Sequence, residues 1–497
     1  MYISVTWACA RAALAPAQAI TLRAFSPPES DQLSRLEYST GNSEEPRKSR
    51  AASLFHPPSS ILHPRVKFQL HRYGLSALLF TASLLLPLAS FAQPAVTTLA
   101  GSVLISGSAD GPTSTALFSD PTGLAIDASG NIYVADNRNH TLRKLSPNGM
   151  VTTLAGQSGQ PGAVDATGTN ASFNNPSGIV LGLNGLLYVT DTGNQTIRSV
   201  STNGVVTTLA GLAGQNGATN ATGALARFDT PLGIAVDQAG IIYVADSGNH
   251  LIRKVTSSGV VTTLAGSPGV WGSADGMGGA ALFNCPVGIA VDSSGTLYVS
   301  DSNNHTIRKM TPSGTVTTWA GSPGVDGTDD GTGSAARFSK PAELKIDRNN
   351  NLFVVDSFSH TIRRISTNAM VTTVAGSAGN SGATDGSGSQ ARFFNPYGLA
   401  IDHNGNLGIS DTYNQTIRFA YTPITVSLSQ NASGNGFVIS WLAVAGNIYQ
   451  VEFKTLTNGS AWQNLGGLVT ATNSTGTQTD NSPASPNSRL YRVKLLP

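Results

Sequence analysis

The run Val96-Thr97-Thr98-Leu99-Ala100-Gly101 sets the hydrophobic rhythm of this chain: near-copies begin at Val151, Val206, Val261, Val316 and Val371, each 55 residues after the last. A fixed period of that length marks a repeat architecture, in which one unit cannot bury its apolar face alone. Inside each unit, short apolar runs alternate with polar turn residues. In the first, Pro121 opens Gly123-Leu124-Ala125-Ile126-Asp127, and Ser129-Gly130 supplies a turn. Asn131 to Asp136 reads as a second strand and His140 to Leu145 as a third. Pro147-Asn148-Gly149 then turns into a fourth, Val151 to Ala155. Runs rich in β-branched and aromatic residues between Gly, Asn and Pro turns are strand signals. The array carries no sustained helical period.

Four strands per unit and six units predict an all-β fold, a six-bladed β-propeller. A parallel β-helix would have shorter rungs without paired hairpin turns. The first three strands recur from Pro121, Pro176, Pro231, Pro286, Pro341 and Pro396, but the last unit runs out after Ile417 to Tyr421. Val96 to Ala100, which precedes every other strand of the array, is therefore expected to complete the sixth blade and leave no open edge. Ile424 to Leu428 competes for the same slot but lacks the Thr-Thr-Leu-Ala-Gly identity.

The line Ala226 to Gly266, ARFDTPLGIAVDQAGIIYVADSGNHLIRKVTSSGVVTTLAG, resembles NHL repeats in the long form found in bacterial secreted proteins. The resemblance runs over about 325 residues in six units and implies a six-bladed propeller. That family includes binding modules for protein, RNA and other ligands, extracellular sensor domains and some lyases, so the resemblance does not select a function.

Two charged columns recur in every unit: Asp136, Asp191, Asp246, Asp301, Asp356 and Asp411, and seven positions on, Arg143, Arg198, Arg253, Arg308, Arg363 and Arg418. A catalytic site needs one copy of each group rather than six. These columns are expected to be structural, tying turns and strands within a blade, bidentate where geometry permits. His140, His250, His305 and His360 share another column with Gln195 and Gln415. Gln in place of His fits hydrogen bonding better than metal ligation. A third column, Asp110, Asp165, Asn220, Asp275, Asp330 and Asp385, lies in the long loops and reads as ordinary Asp-Gly turn chemistry. Asp326, Asp329 and Asp330 are the calcium candidates, but spacing alone shows no ligand cage. Phe118, Phe173, Phe228, Phe283, Phe338 and Phe393 are expected to pin those loops to the blades.

Function is expected where the units differ. The long loops and the loops between strands two and three should emerge on one face, taken here as the binding face. Unit five departs most, with Lys340, Glu343 in place of the usual Gly and Lys345 in place of a small residue. Glu343 and Lys345, two apart, share a side of the innermost strand. They either pair with each other or offer a polar handle to a ligand. Trp271 and Tyr397 are the aromatic candidates for stacking on sugars or apolar side chains. Cys285 reads as an inert, partly buried thiol. His403 lies outside the repeat column, in a turn on the opposite face. A metal-dependent lyase or a lactone hydrolase, the alternative to a binding module, is weakened because histidines beyond the repeat column are so few. Phosphate-loop, Gly-x-Ser-x-Gly and His-Glu-x-x-His motifs are missing from the sequence.

Charge and composition adjust this picture at the ends of the chain. Of 30 Lys/Arg and 28 Asp/Glu, residues 1–92 hold nine and five, leaving 21 against 23, a net of −2. That near-neutral remainder gives no footprint for nucleic acid. Arg65, Lys67 and Arg72, the apolar run Gly74 to Leu88 and the small residues of Ser90-Phe91-Ala92 read as a signal peptide at 65–92, cleaved after Ala92. Residues 1–64 read as a disordered or untranslated leader. The propeller is assigned to 94–421. Residues 424–497, with Trp441, Tyr449 and Tyr491, resemble a small fibronectin type III-like sandwich, and Thr470 to Ser488 reads as a loop stretch. The expectation is a secreted, periplasmic or cell-surface monomer without a required cofactor. Its partner would be an extracellular protein or glycan, with no nucleic acid and no membrane insertion after cleavage.

Overall fold

The computed structural model describes residues 3–7, 20–24, 93–421, 426–431, 436–443, 448–455, 461–472, 475–481 and 489–496. Six antiparallel sheets follow one another through the repeat array. The first has Pro121–Ile126 innermost, then Ile132–Asp136, Thr141–Leu145 and Met150–Ala155, each strand pairing with the next. Every sheet is a propeller blade.

The sixth blade is closed by the start of the array. Ala95–Gly101 pairs antiparallel with Thr416–Tyr421, placing Val96 opposite Ala420 and Thr97 opposite Phe419. Val96 and Ala100 are buried. Ala100 packs in one cluster with Phe118, Leu124 and Val134 of blade one and Ala400 and Ile417 of blade six. The competing segment goes elsewhere: Val426–Gln430 pairs with Phe437–Leu442 in the C-terminal domain.

The apolar core lies between successive blades. Ala125, Tyr133 and Leu142 of blade one pack with Phe173, Ile179 and Val189 on the second blade's side. A sheet buried on both faces needs the near-continuous apolar strands seen here rather than strict alternation.

Four strands per blade were expected, yet four blades carry a fifth, two-residue outer strand. In blade one Gly111–Pro112 of the incoming loop pairs with Val151 and Met150. The same happens at Gly276–Met277, Gly331–Thr332 and Gly386–Ser387. Each loop runs outward along the blade and covers part of its last strand, which shields an exposed edge.

The C-terminal domain is a small two-sheet sandwich. Val426–Gln430, Phe437–Leu442 and Thr475–Asp480 form one sheet; Ile448–Thr455 pairs with Gln463–Asn464, Val469–Thr470 and Arg489–Leu496 in the other. Trp441, Tyr449, Val451, Tyr491 and Val493 form its core. Thr475–Asp480 corrects the expectation of a loop. Its residues alternate, with Gly476 against the Trp441 ring and Asp480 buried to accept the Tyr491 hydroxyl proton at 2.8 Å. Near the N-terminus Ile3–Trp7 pairs with Ile20–Ala24, strands that the reading of 1–64 as disordered or untranslated did not include. The signal-peptide assignment at 65–92 falls outside the described residues. Among the described residues, no helix is long and apolar enough to cross a membrane.

Candidate functional site

The Asp and Arg columns form one latch per blade. In blade one Asp136 Oδ1 accepts the Ser119 N–H at 2.7 Å, and Oδ2 accepts from Asn139 Nδ2 at 2.8 Å and Arg143 Nη1 at 2.7 Å. Arg143 Nη1 also donates to Leu117 O, and Nη2 to Ala109 O and Asp110 Oδ1. In every blade but the third the guanidinium thus spans two carboxylates rather than gripping one bidentately. The second partner is the loop column that had read as mere turn chemistry, and Asn220 fills its place in blade three. Arg143 also sits over the buried Phe118 ring, 5.3 Å from its centroid. Burial raises the Asp136 carboxyl and Arg143 and the N–H donors pull it part of the way back, leaving it at about 6.

The histidine column joins blades to one another. Nδ1 of His140, His250 and His360 accepts the backbone N–H of Asn175, Cys285 and Asn395 at 3.0, 3.1 and 3.2 Å, and Gln415 Oε1 does the same for Asp120 at 2.6 Å. His305 makes the longer contact, 3.4 Å, to Lys340. Each acceptor thereby holds the residue just before the next blade's first proline. Those residues are left-handed, with φ between 44° and 55°, a conformation that suits Asn and Asp. An acceptor at Nδ1 requires the neutral ring with its proton on Nε2, and desolvation lowers the affinity of all four rings for a second proton. Among the described residues, no three His, Cys, Asp or Glu side chains converge as metal ligands do. Asp330, weighed for calcium, gives its carboxylate to Arg363 and Thr373.

At the axis, the residue two after each first proline is Gly123, Gly178, Gly233, Gly288, Glu343 or Gly398. A Cβ on Gly288 would stand 2.3 Å from Ala342 O, and one on Gly123 2.3 Å from Ser177 O. Only glycine allows that approach. Glu343 breaks the rule, and next to it the innermost strand of blade six is regular only over Leu399–Ile401. There the Glu343 N–H donates to Tyr397 O at 3.2 Å. The Glu343 side chain is buried and takes Lys345 Nζ at 2.6 Å, so the two charges satisfy each other. Tyr397 packs with the cluster holding Val287 and Ala342, and its hydroxyl is bonded to Ser177. It fills the axis, and burial pushes its phenol up.

Beside this plug lies a cleft of about 370 Å³ over blades four to six, lined by Val287, Ser302, Asn303, Lys340, Ala342, Ser357, Phe358, Asn395, Tyr397, Thr412 and Tyr413. Short 3₁₀ turns between strands two and three supply Ser302, Asn303, Thr412 and Tyr413. Phe358 is 57% exposed and Tyr413 48% exposed. Tyr413 meets Phe394 edge-on, with ring centroids 5.3 Å apart. Lys340 Nζ bonds Asn303 Oδ1 at 2.5 Å.

The structure therefore brings Lys340 and Tyr397 into one cleft, and leaves the paired Glu343 and Lys345 out of its lining. Trp271 is also outside the lining, 67% exposed on a loop strapped to blade four by Asn304 Nδ2 bonding Gly272 O at 2.7 Å. Cys285, half-buried, has its thiol pushed up by burial, as suits an inert role. Phe358 and Tyr413 were missed. The signal was present: their column reads Arg138, Gly193, Gly248, Asn303, Phe358, Tyr413, so aromatics enter only in the last two blades.

A family model described as NHL repeat matches residues 118–145, 173–198, 228–255 and 283–310. The protein SUPPRESSOR OF QUENCHING 1, chloroplastic, of Arabidopsis thaliana is 33% identical over 278 residues, 53% of this chain and 26% of that protein. NHL repeat-containing protein 2 of Bos taurus is 28% identical over 345 residues, 62% of this chain and 47% of that one. The chain thus spans about half or less of the length of these relatives. Among solved structures, an auxiliary nutrient binding protein from Bacteroides ovatus superposes with a TM-score of 0.51 at 19% identity, covering 66% of this chain and 76% of that one. At that identity the likeness is one of fold.

Proposed function

We propose, from the NHL repeats matched in four units of the array, that the protein is a non-enzymatic binding module. It acts outside the cytoplasm and holds an extracellular protein or glycan through the loop face of its propeller. The observation that carries this reading is the cleft over blades four to six. Exposed aromatic rings at Phe358 and Tyr413 stand beside neutral hydroxyl and amide groups and a single cation, Lys340. Apolar walls with a few convergent polar groups are the ordinary make-up of a ligand site. Exposed aromatics on a rigid scaffold supply contact area at small entropic cost.

A binding screen of glycans and envelope proteins against wild type, Trp271→Ala and the double variant Phe358→Ala/Tyr413→Ala tests it. Loss of a ligand by the double variant, with melting unchanged, supports the cleft. Equal binding by wild type and the double variant rejects it. Loss only with Trp271→Ala moves the site to the blade-four loop. Turnover of the captured sugar or of a lactone would replace the binding reading with an enzymatic one.

A further inference from the structure

Resting on the cleft as the binding site, we infer that its ligand is an acidic saccharide: a sugar ring laid against Phe358 and Tyr413, with its carboxylate or sulfate on Lys340 Nζ. Three observations converge. The lining mixes aromatic rings with the hydroxyl and amide groups of Ser302, Ser357 and Asn395, which suits a molecule with apolar ring faces and hydroxyl edges. An extended peptide would instead want an open sheet edge, and every blade edge here is strapped by its loop or closed by a bridge.

The cleft is also charged in one sense only. Its lining includes Lys340 and no Asp or Glu. Three carboxylates of these blades are already committed, Glu343 to Lys345, Asp301 to Arg308 and Asp356 to Arg363, and Asp326, which acts on His305 as Lys340 does, lies outside the lining. Among the described residues the Lys340 ammonium has a neutral partner, Asn303, and no ion pair.

Finally, Lys340 sits at a left-handed position, φ 53°, where the other blades place Asp, Asn, Thr or Cys. A long cationic side chain there costs the architecture something and gives it no ion pair. Its charge is left for what enters the cleft. A cation in a partly enclosed site favours an anion through a charge-assisted hydrogen bond.

The test is calorimetric titration of the full chain with uronic-acid trisaccharides in gluco, galacto and manno configuration, with their methyl esters, and with sulfated trisaccharides. The methyl ester keeps the ring and removes the charge. The expected result is that at least one acidic trisaccharide binds at least about ten-fold tighter than its uncharged counterpart. That preference weakens as salt shortens the Debye length from about 10 Å to about 3 Å. Lys340→Gln should abolish it without changing melting. Uronate and sulfate arms separate the two sources of the anion. Equal binding of acid and ester, or a preference that survives Lys340→Gln, overturns the inference. If Phe358→Ala/Tyr413→Ala still loses the sugar in that case, the cleft stands and only its charge selection falls. Binding of none of these probes overturns the inference, while a protein ligand lost by the double variant would leave the cleft intact.

Discussion

Arg143 and its five counterparts are fully buried, each held by a buried Asp and by a half-exposed Asp or Asn of the incoming loop. Removing the cation strands a carboxylate in the core, which costs about 3–5 kcal/mol where a buried pair is broken. Arg308→Met should therefore lower stability by that amount in urea unfolding, whereas Trp271→Ala should leave it within about 0.5 kcal/mol. The Asp and Arg columns could be read as structural because they repeat. Their second partner could not, since Asp110 lies 33 residues from Arg143 and only the folded loop brings them together. The histidines allow a pH prediction. Their folded affinity for a second proton is lowered, so they add stability above the unfolded value near 6.5 and lose it as pH falls through their folded values. Replacing His140, His250, His305 and His360 by Gln, the residue of blades two and six, should leave melting nearly unchanged at neutral pH. The variant should then lose less stability than wild type on going to pH 5; equal losses would show that the column does not titrate.

At the scale of the element, the innermost strand of every blade but the fifth depends on glycine where backbones meet around the axis. Gly288→Val places atoms against Ala342 O and is expected to cost at least about 1–3 kcal/mol, read as a shift in the urea midpoint with unchanged slope. Equal stability would mean that the inner strands are not in contact. Strand order was legible in the repeated Pro and Val-Thr-Thr signals, because each unit restates them. The exceptions were legible only as departures. Glu343 and Lys345 stood out, but spacing could not show which of them a ligand would meet; the geometry turns them toward each other. Phe358 and Tyr413 went unread because loops seldom demand a residue type. Only the fold shows that these two turns lean over one cleft. In the sandwich, Thr475–Asp480 was hidden in a Ser/Thr/Asn-rich stretch, where threonine serves strands and loops alike.

The whole molecule is a ring closed by its first strand. Val96 packs between blades five and six and Ala100 between blades six and one, and Thr98 Oγ1 donates to Asp385 Oδ1 at 3.0 Å, the contact that Thr153 makes with Asp110 in blade one. That shared contact explains why the Thr-Thr-Leu-Ala-Gly run takes the slot in place of the segment after the array. Closure also fixes blade six against blade one through Gln415 and Asp120, and so fixes the turn that carries Tyr413. The direct measurement is thermal unfolding of the chain lacking Pro94–Gly101 beside wild type. Loss of a buried strand should lower Tm by more than about 10 °C and abolish ligand capture by the loop face. An unchanged Tm would contradict the closed ring, and with it the rim on which the cleft is built.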